Sequence, residues 1–144
     1  MIMAYGGGKW AIDMMKRWSG TNAQGTQKLW SGDTKEVYTS FFDKESVIEA
    51  SCRDYEAGAT TDVDIEESAI REEKRIVVPL LLVYSQGFLP KRAKKPIAEV
   101  WSRPLSEGPE LITSCPIGGG VGHFIPEEAP EETAEALLKW LGTL

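Results

Sequence analysis

Gly118-Gly119-Gly120-Val121-Gly122-His123-Phe124-Ile125-Pro126-Glu127-Glu128-Ala129-Pro130-Glu131-Glu132 is the stretch on which the reading of this chain turns. It follows a predicted strand, carries the only histidine of the 144 residues, and leads into an apolar C-terminal helix. Glycines let the backbone turn sharply at a strand's end. An imidazole titrates near neutral pH and suits proton transfer, and acidic residues suit the first turn of the helix that follows. The pattern presents a general base. Its usual counterpart, a nucleophile on a Gly-x-Ser-x-Gly or Gly-x-Asp-x-Gly turn, occurs nowhere in the chain.

Working outward, the final helix is expected to start at Pro130 and to lay Ala134, Leu137, Leu138 and Leu141 against a sheet. Upstream, Ile76-Val77-Val78-Pro79-Leu80-Leu81-Leu82-Val83-Tyr84 is apolar on both faces, as in a strand buried within a parallel sheet. Pro79 cannot donate to a ladder, so pairing is expected from about Leu80. A short helix over residues 97–101 and a second strand over residues 110–114 complete this part. Two strands are a poor free-standing sheet. The first wants a neighbour on each side, and an exposed apolar edge invites association. The sequence therefore reads as part of a larger fold.

The first 66 residues read as helical. Trp10, Met14, Met15 and Trp18 recur at helical spacing after Gly6-Gly7-Gly8, which reads as a helix lead-in or linker. Asp33-Thr34-Lys35-Glu36 has capping-box spacing ahead of Val37, Tyr38, Phe41 and Phe42. A helix over residues 43–57 carries Val47, Ile48, Cys52 and Tyr55, with Gly58 and Thr60-Thr61-Asp62 as breakers. Another helix is expected over residues 65–74. Asp62, Asp64, Glu66 and Glu67 read as its exposed acidic start rather than a cation site.

Composition narrows the function classes. Apolar residues at 42% suffice for a core, and 16 basic against 22 acidic residues leave a charge of −6, which argues against nucleic acid. The one basic run, Lys91-Arg92-Ala93-Lys94-Lys95, lacks interleaved aromatics and reads as a solvated loop. Cys52 and Cys115 have no metal-ligand spacing and read as small buried or half-buried groups in a reducing compartment rather than a disulfide. Nothing resembles a leader or a membrane span, so a cytoplasmic protein that contacts no membrane is expected. No metal or cofactor is expected either.

Three segments carry a resemblance to the α/β-hydrolase superfamily, within it to the haloacetate (fluoroacetate) dehalogenases and epoxide hydrolases. They are Ser51-Cys52-Arg53-Asp54-Tyr55-Glu56-Ala57-Gly58-Ala59-Thr60, the Val78-Pro79-Leu80-Leu81-Leu82-Val83-Tyr84 strand, and Gly122-His123-Phe124 with its Pro126-Glu127-Glu128-Ala129-Pro130-Glu131-Glu132-Thr133 continuation. The resemblance implies an α/β fold: the C-terminal part of a hydrolase, two parallel strands flanked by helices, preceded by a helical cap segment. Residues 1–66 would be the remainder of the cap and residues 67–144 the C-terminal portion of the core.

The resemblance also assigns roles. A carboxylate nucleophile displaces halide or opens an epoxide to form an ester, and His123 deprotonates the water that hydrolyses it. Tyr55 matches the tyrosine whose hydroxyl holds the departing halide, although an ordinary core tyrosine explains it equally. The histidine–tryptophan pair that accompanies that tyrosine would lie upstream of Met1. Many members place the triad acid after the penultimate strand, but Ser85-Gln86-Gly87-Phe88-Leu89-Pro90 has no Asp or Glu. Either the acid follows the preceding strand, in the part not seen here, or the triad is broken. The expectation is a truncated hydrolase, inactive alone, whose parent acts on a small-molecule haloacetate or epoxide. Two alternatives stand beside it: a non-catalytic protein that self-associates or pairs with a homologue through the exposed strand edge, and part of a serine esterase.

Overall fold

A computed structural model describes residues 1–89, 95–102 and 105–144. In chain order its elements are α1 (Ile2–Tyr5), α2 (Gly7–Trp18), α3 (Ala23–Leu29), α4 (Thr34–Phe42), α5 (Glu45–Ala59), α6 (Thr61–Arg71), β1 (Leu80–Ser85), α7 (Ile97–Ser102), β2 (Ile112–Ile117), α8 (Ile125–Glu128) and α9 (Pro130–Leu141). The chain divides into two compact units. One comprises Met1–Trp18 and Trp30–Glu72, the other Ser19–Leu29 and Glu73–Leu144. Of the basic run only Lys95 is described, and it pairs with Glu99 at 3.4 Å; residues 91–94 lie outside the described residues.

The first unit is all helix, and glycine decides its packing. Gly7 and Gly8 open α2 and are buried. A Cβ at Gly7 would lie 1.9 Å from the Phe42 carbonyl oxygen, and one at Gly8 2.6 Å from that of Thr39. Only a bare backbone lets α2 and α4 approach so closely. The glycine run therefore forms the helix crossing itself. Asp43 then accepts the Gly8 N–H at 2.8 Å, satisfying one free donor at the start of α2. The buried stripe of α2 is Ala11, Ile12 and Met15. Trp10, Met14 and Trp18 flank it half-buried, and the Trp10 ring lies 6.3 Å from that of Phe42.

Three local expectations shift here. Asp33 stands before α4 as foreseen, but its side chain makes no capping bond; the Thr34 hydroxyl instead donates to the Ser31 carbonyl at 2.8 Å. Gly58 does not break α5, which runs on to Ala59; glycine inside an exposed helix is a modest cost, not a stop. Thr60 is the single break, and α6 starts directly after it.

A surface network joins α1 to α2. The Tyr5 hydroxyl donates to Asp13 at 2.7 Å, and Lys9 reaches the same carboxylate at 2.9 Å while its ammonium lies 3.8 Å from the Tyr5 ring centroid. The Tyr5 hydrogen bond, then Lys9, hold the Asp13 carboxyl below its ordinary value of 3.8. A carboxyl whose folded pKa is depressed adds stability above its unfolded pKa and loses it as pH falls through the folded value. Tyr5→Phe should therefore move the Asp13 midpoint up toward 3.8, read by carboxyl-carbon NMR titration. An unmoved midpoint would refute the Tyr5 bond.

The second unit is built on a parallel pair. β1 and β2 run from Leu80↔Ile112 to Ser85↔Ile117 in register, with an isolated parallel bridge Ile76↔Ser106 before them. Pairing begins at Leu80, directly after Pro79, as proline's missing donor requires. The second strand starts later than residue 110, because Pro109–Leu111 forms a 3₁₀ turn. It extends through Pro116 to Ile117, and a proline is compatible with a strand that has one partner. Among the described residues the sheet has two strands, and β1 is half-buried except at buried Ser85.

Ile117, Val121 and Ala129 form a buried cluster joined by Val83, Cys115 and Ile125. This core lies directly beneath the glycine loop. Helix α9 runs beside both strands, but its half-buried residues are Thr133, Ala136 and Trp140. Ala134, Leu137, Leu138 and Leu141, expected to pack on the sheet, are instead exposed, Leu138 at 71%. The apolar face of α9 is wider than this two-stranded sheet can cover.

Candidate functional site: the histidine loop

His123 follows β2 on a loop whose glycines are used for conformation. Gly119 and Gly120 have φ of 66° and 82°, values at which a side chain is strained. Three anchors hold the loop. From the end of β1, the Ser85 hydroxyl donates to the Val121 carbonyl at 2.7 Å and accepts the Phe88 N–H at 3.0 Å. Ser85 is 3% exposed, so it acts as a tie between two loops, not as a surface nucleophile.

The second anchor comes from the segment before α3. The Gly120 carbonyl accepts the N–H groups of Thr21 at 2.8 Å and Asn22 at 3.2 Å, and the Asn22 amide donates to the Gly119 carbonyl at 2.8 Å. Asn22 also accepts the Gly25 N–H at 2.9 Å, which caps α3. At the far ends, Lys28 and Glu131 form an ion pair that ties α3 to α9.

Glu128 is the third anchor. It is 2% exposed, and its carboxylate accepts backbone N–H groups from Gly20 at 2.8 Å, Gly122 at 2.9 Å and Phe124 at 3.2 Å. The two acidic residues at 127 and 128 look alike in sequence, as an acidic helix start. The buried one proves to be the polar centre of the loop. A possible signal was its place one residue before Ala129-Pro130, where α8 gives way to α9, but only the fold supplies its donors.

The imidazole itself is exposed and lies between two phenyl rings. Its centroid is 4.9 Å from that of Phe88 and 5.1 Å from that of Phe124, the latter edge-on at 83°. The exposed imidazole is open to water. Tyr55, the other candidate, lies in the helical unit on α5 and is 64% exposed. Histidine and tyrosine thus belong to separate units. A depression of about 320 Å³ in the helical unit, lined by Ile2, Met3, Ile48 and Cys52, does not include Tyr55.

Asp62, Asp64, Glu66 and Glu67 lie exposed on α6. Among the described residues no group of three or more His, Cys, Asp or Glu is placed to hold a metal ion. Cys52 and Cys115 are free thiols; Cys115 is half-buried as expected, but Cys52 is exposed on α5. Among the described residues no helix is long and apolar enough to cross a membrane.

No family model matches the chain. Among solved structures it is similar to a mutant of a protein described as a "putative epoxide hydrolase" from Pseudomonas aeruginosa, determined with bound MFA. The TM-score is 0.77 at 21% identity, over 98% of this chain and 44% of that one. The chain thus spans less than half the length of the structure it matches. Helices with two parallel strands agree with that likeness: the chain has the fold of the C-terminal part of an α/β-hydrolase.

Proposed function

We propose that this chain is the histidine-bearing part of a hydrolase whose parent reaction cleaves a haloacetate carbon–halogen bond or an epoxide carbon–oxygen bond. The observation that carries this reading is His123 itself, exposed at the C-terminal end of a parallel strand on a loop tied down by Ser85 and Glu128. In the parent reaction an aspartate carboxylate attacks carbon and halide leaves, or the epoxide oxygen takes up a proton. His123 then removes a proton from water, hydroxide adds to the ester carbonyl, and the hydroxylated product leaves as the carboxylate is regenerated. The substrate is a small molecule, and the setting is the cytoplasm. In this reading residues 1–66 are the remainder of a helical cap and residues 67–144 the C-terminal core, although Ser19–Leu29 groups with the strand-bearing unit and the helical unit extends to Glu72.

Tyr55 is the anion donor of this reading, since a phenol offers a hydrogen bond to halide without adding a charge to desolvate. Tyr55 is exposed on α5. Because no Gly-x-Asp-x-Gly or Gly-x-Ser-x-Gly turn is present, the chain alone should not turn over haloacetates, epoxides or activated esters. Supplying a polypeptide that carries the nucleophile turn and the remaining strands should produce turnover that His123→Ala abolishes. Hydrolysis by the purified chain alone, lost in His123→Ala, would refute the claim of inactivity; turnover indifferent to His123 would refute its role as base.

A second reading has support in exposed apolar surface. Leu137, Leu138 and Leu141 face solvent at 44%, 71% and 55%, and β1 has one strand neighbour among the described residues. A non-catalytic protein that self-associates or takes a homologue's strand at this edge would use that surface. A concentration-dependent sedimentation coefficient with a cooperative melt favours this reading, and a monomer that binds ANS and melts without cooperativity opposes it.

A further inference from the structure

We infer that Glu128 is a positioning residue for His123, setting the backbone on both sides of the imidazole-bearing residue. The inference rests on the reading of His123 as the base. Its carboxylate accepts the N–H of Gly122, which precedes His123, and of Phe124, which follows it. One side chain therefore holds the 123–124 peptide, which follows His123, and the 121–122 peptide, which leads into Gly122, so that it brackets the Gly122-His123 segment. The same oxygen that takes Gly122 also takes Gly20, so the loop is referenced to the segment leading into α3 as well as to α8.

Glu128 does this from a buried place, 2% exposed, where a backbone donor left without an acceptor is costly. Its oxygens face backbone N–H groups, so its assigned task is orientation of the base's backbone and not proton transfer. Asn22, Thr21 and Ser85 hold the loop as far as Val121, and Glu128 is the side chain that takes the N–H groups of Gly122 and Phe124 beyond it. A general base must lie within hydrogen-bond reach of the proton it removes, so a loop free to wander would lose that geometry without losing its imidazole.

The sole histidine makes the test clean. In the full chain, amide exchange and the imidazole resonances are followed by NMR in the native protein and in Glu128→Gln, which keeps the shape and replaces one of the two accepting oxygens by an N–H donor. Exchange at Gly122 and Phe124 should accelerate by about tenfold or more, as expected for local opening, and the His123 ring signals should shift or split. The Gln86 N–H, bonded to the Ile117 carbonyl at 2.9 Å, reports the end of the strand pair and should keep its protection.

Unchanged exchange and ring signals would overturn the inference. So would equal loss of protection at Gln86, because Glu128 would then merely support the whole unit. Should the glutamine variant not fold, Glu128→Asp is read in the same way, and failure of both to fold also overturns it. The spectra need no turnover. A complemented enzyme indifferent to His123→Ala would therefore refute the base reading while the positioning result stood by itself.

Discussion

Glu128→Ala should destabilise the strand-bearing unit by roughly 3–5 kcal/mol, because a buried donor left without its acceptor costs about 1–3 kcal/mol and three lose theirs at once. The Gly122 N–H is the most enclosed of them, while those of Gly20 and Phe124 are part-buried and recover some cost through water. That places the expected value nearer the lower end. Urea unfolding followed by far-UV circular dichroism would show a lower midpoint at nearly unchanged slope. Glu131→Ala is the control, since its pair with Lys28 is exposed and exposed pairs contribute little. A loss below about 1 kcal/mol for Glu128→Ala would mean that these bonds do not matter in solution.

Gly20→Ala should be nearly as damaging, for a steric reason. A Cβ there would lie 2.0 Å from the Gly120 carbonyl oxygen, 2.5 Å from the Gly122 nitrogen and 2.7 Å from a Glu128 carboxylate oxygen. Two of these are backbone atoms, so the loop or the segment must move. Overpacking of this kind costs about 1–3 kcal/mol and sometimes more, and the movement breaks the Gly20–Glu128 bond as well. We expect a loss of about 3 kcal/mol. Gly87→Ala makes a useful contrast, since a Cβ there would lie 3.7 Å from the Val121 carbonyl oxygen, an ordinary contact. It should change stability by no more than about 0.5 kcal/mol. Equal effects from the two substitutions would refute the close approach at Gly20.

These expectations concern a centre that local sequence could not reveal. Glu128 is 108 residues from Gly20, and nothing in the run Gly20-Thr21-Asn22 marks it as the partner of a distant carboxylate. The segment Ser19–Leu29 joins the strand-bearing unit although the chain on both sides of it belongs to the helical one. Leu29, 1% exposed, is the deepest large apolar residue among the described residues, yet its helix is too short for periodicity to single it out. On α9 the leucines dominate the pattern, but Thr133, Ala136 and Trp140 are the more buried. Periodicity reports that a helix has an apolar face; it does not report whether enough surface exists to cover it.

Other features were legible because their causes are local. Pro79 sets the start of pairing through a missing donor, and β1 begins at Leu80. A run apolar on both faces implies a parallel strand, and β1 pairs in parallel with β2. Glycines after a strand imply a sharp turn, and Gly119 and Gly120 take positive φ. The sequence by itself determined the helical first part, the parallel pair and the loop that carries His123, since each follows from the conformational limits of neighbouring residues. Only the tertiary structure decided which of two adjacent glutamates is buried, which glycines must stay bare and which face of α9 is covered. Those outcomes depend on atoms brought together across the whole chain, where burial and hydrogen-bond satisfaction, not local preference, set the energy.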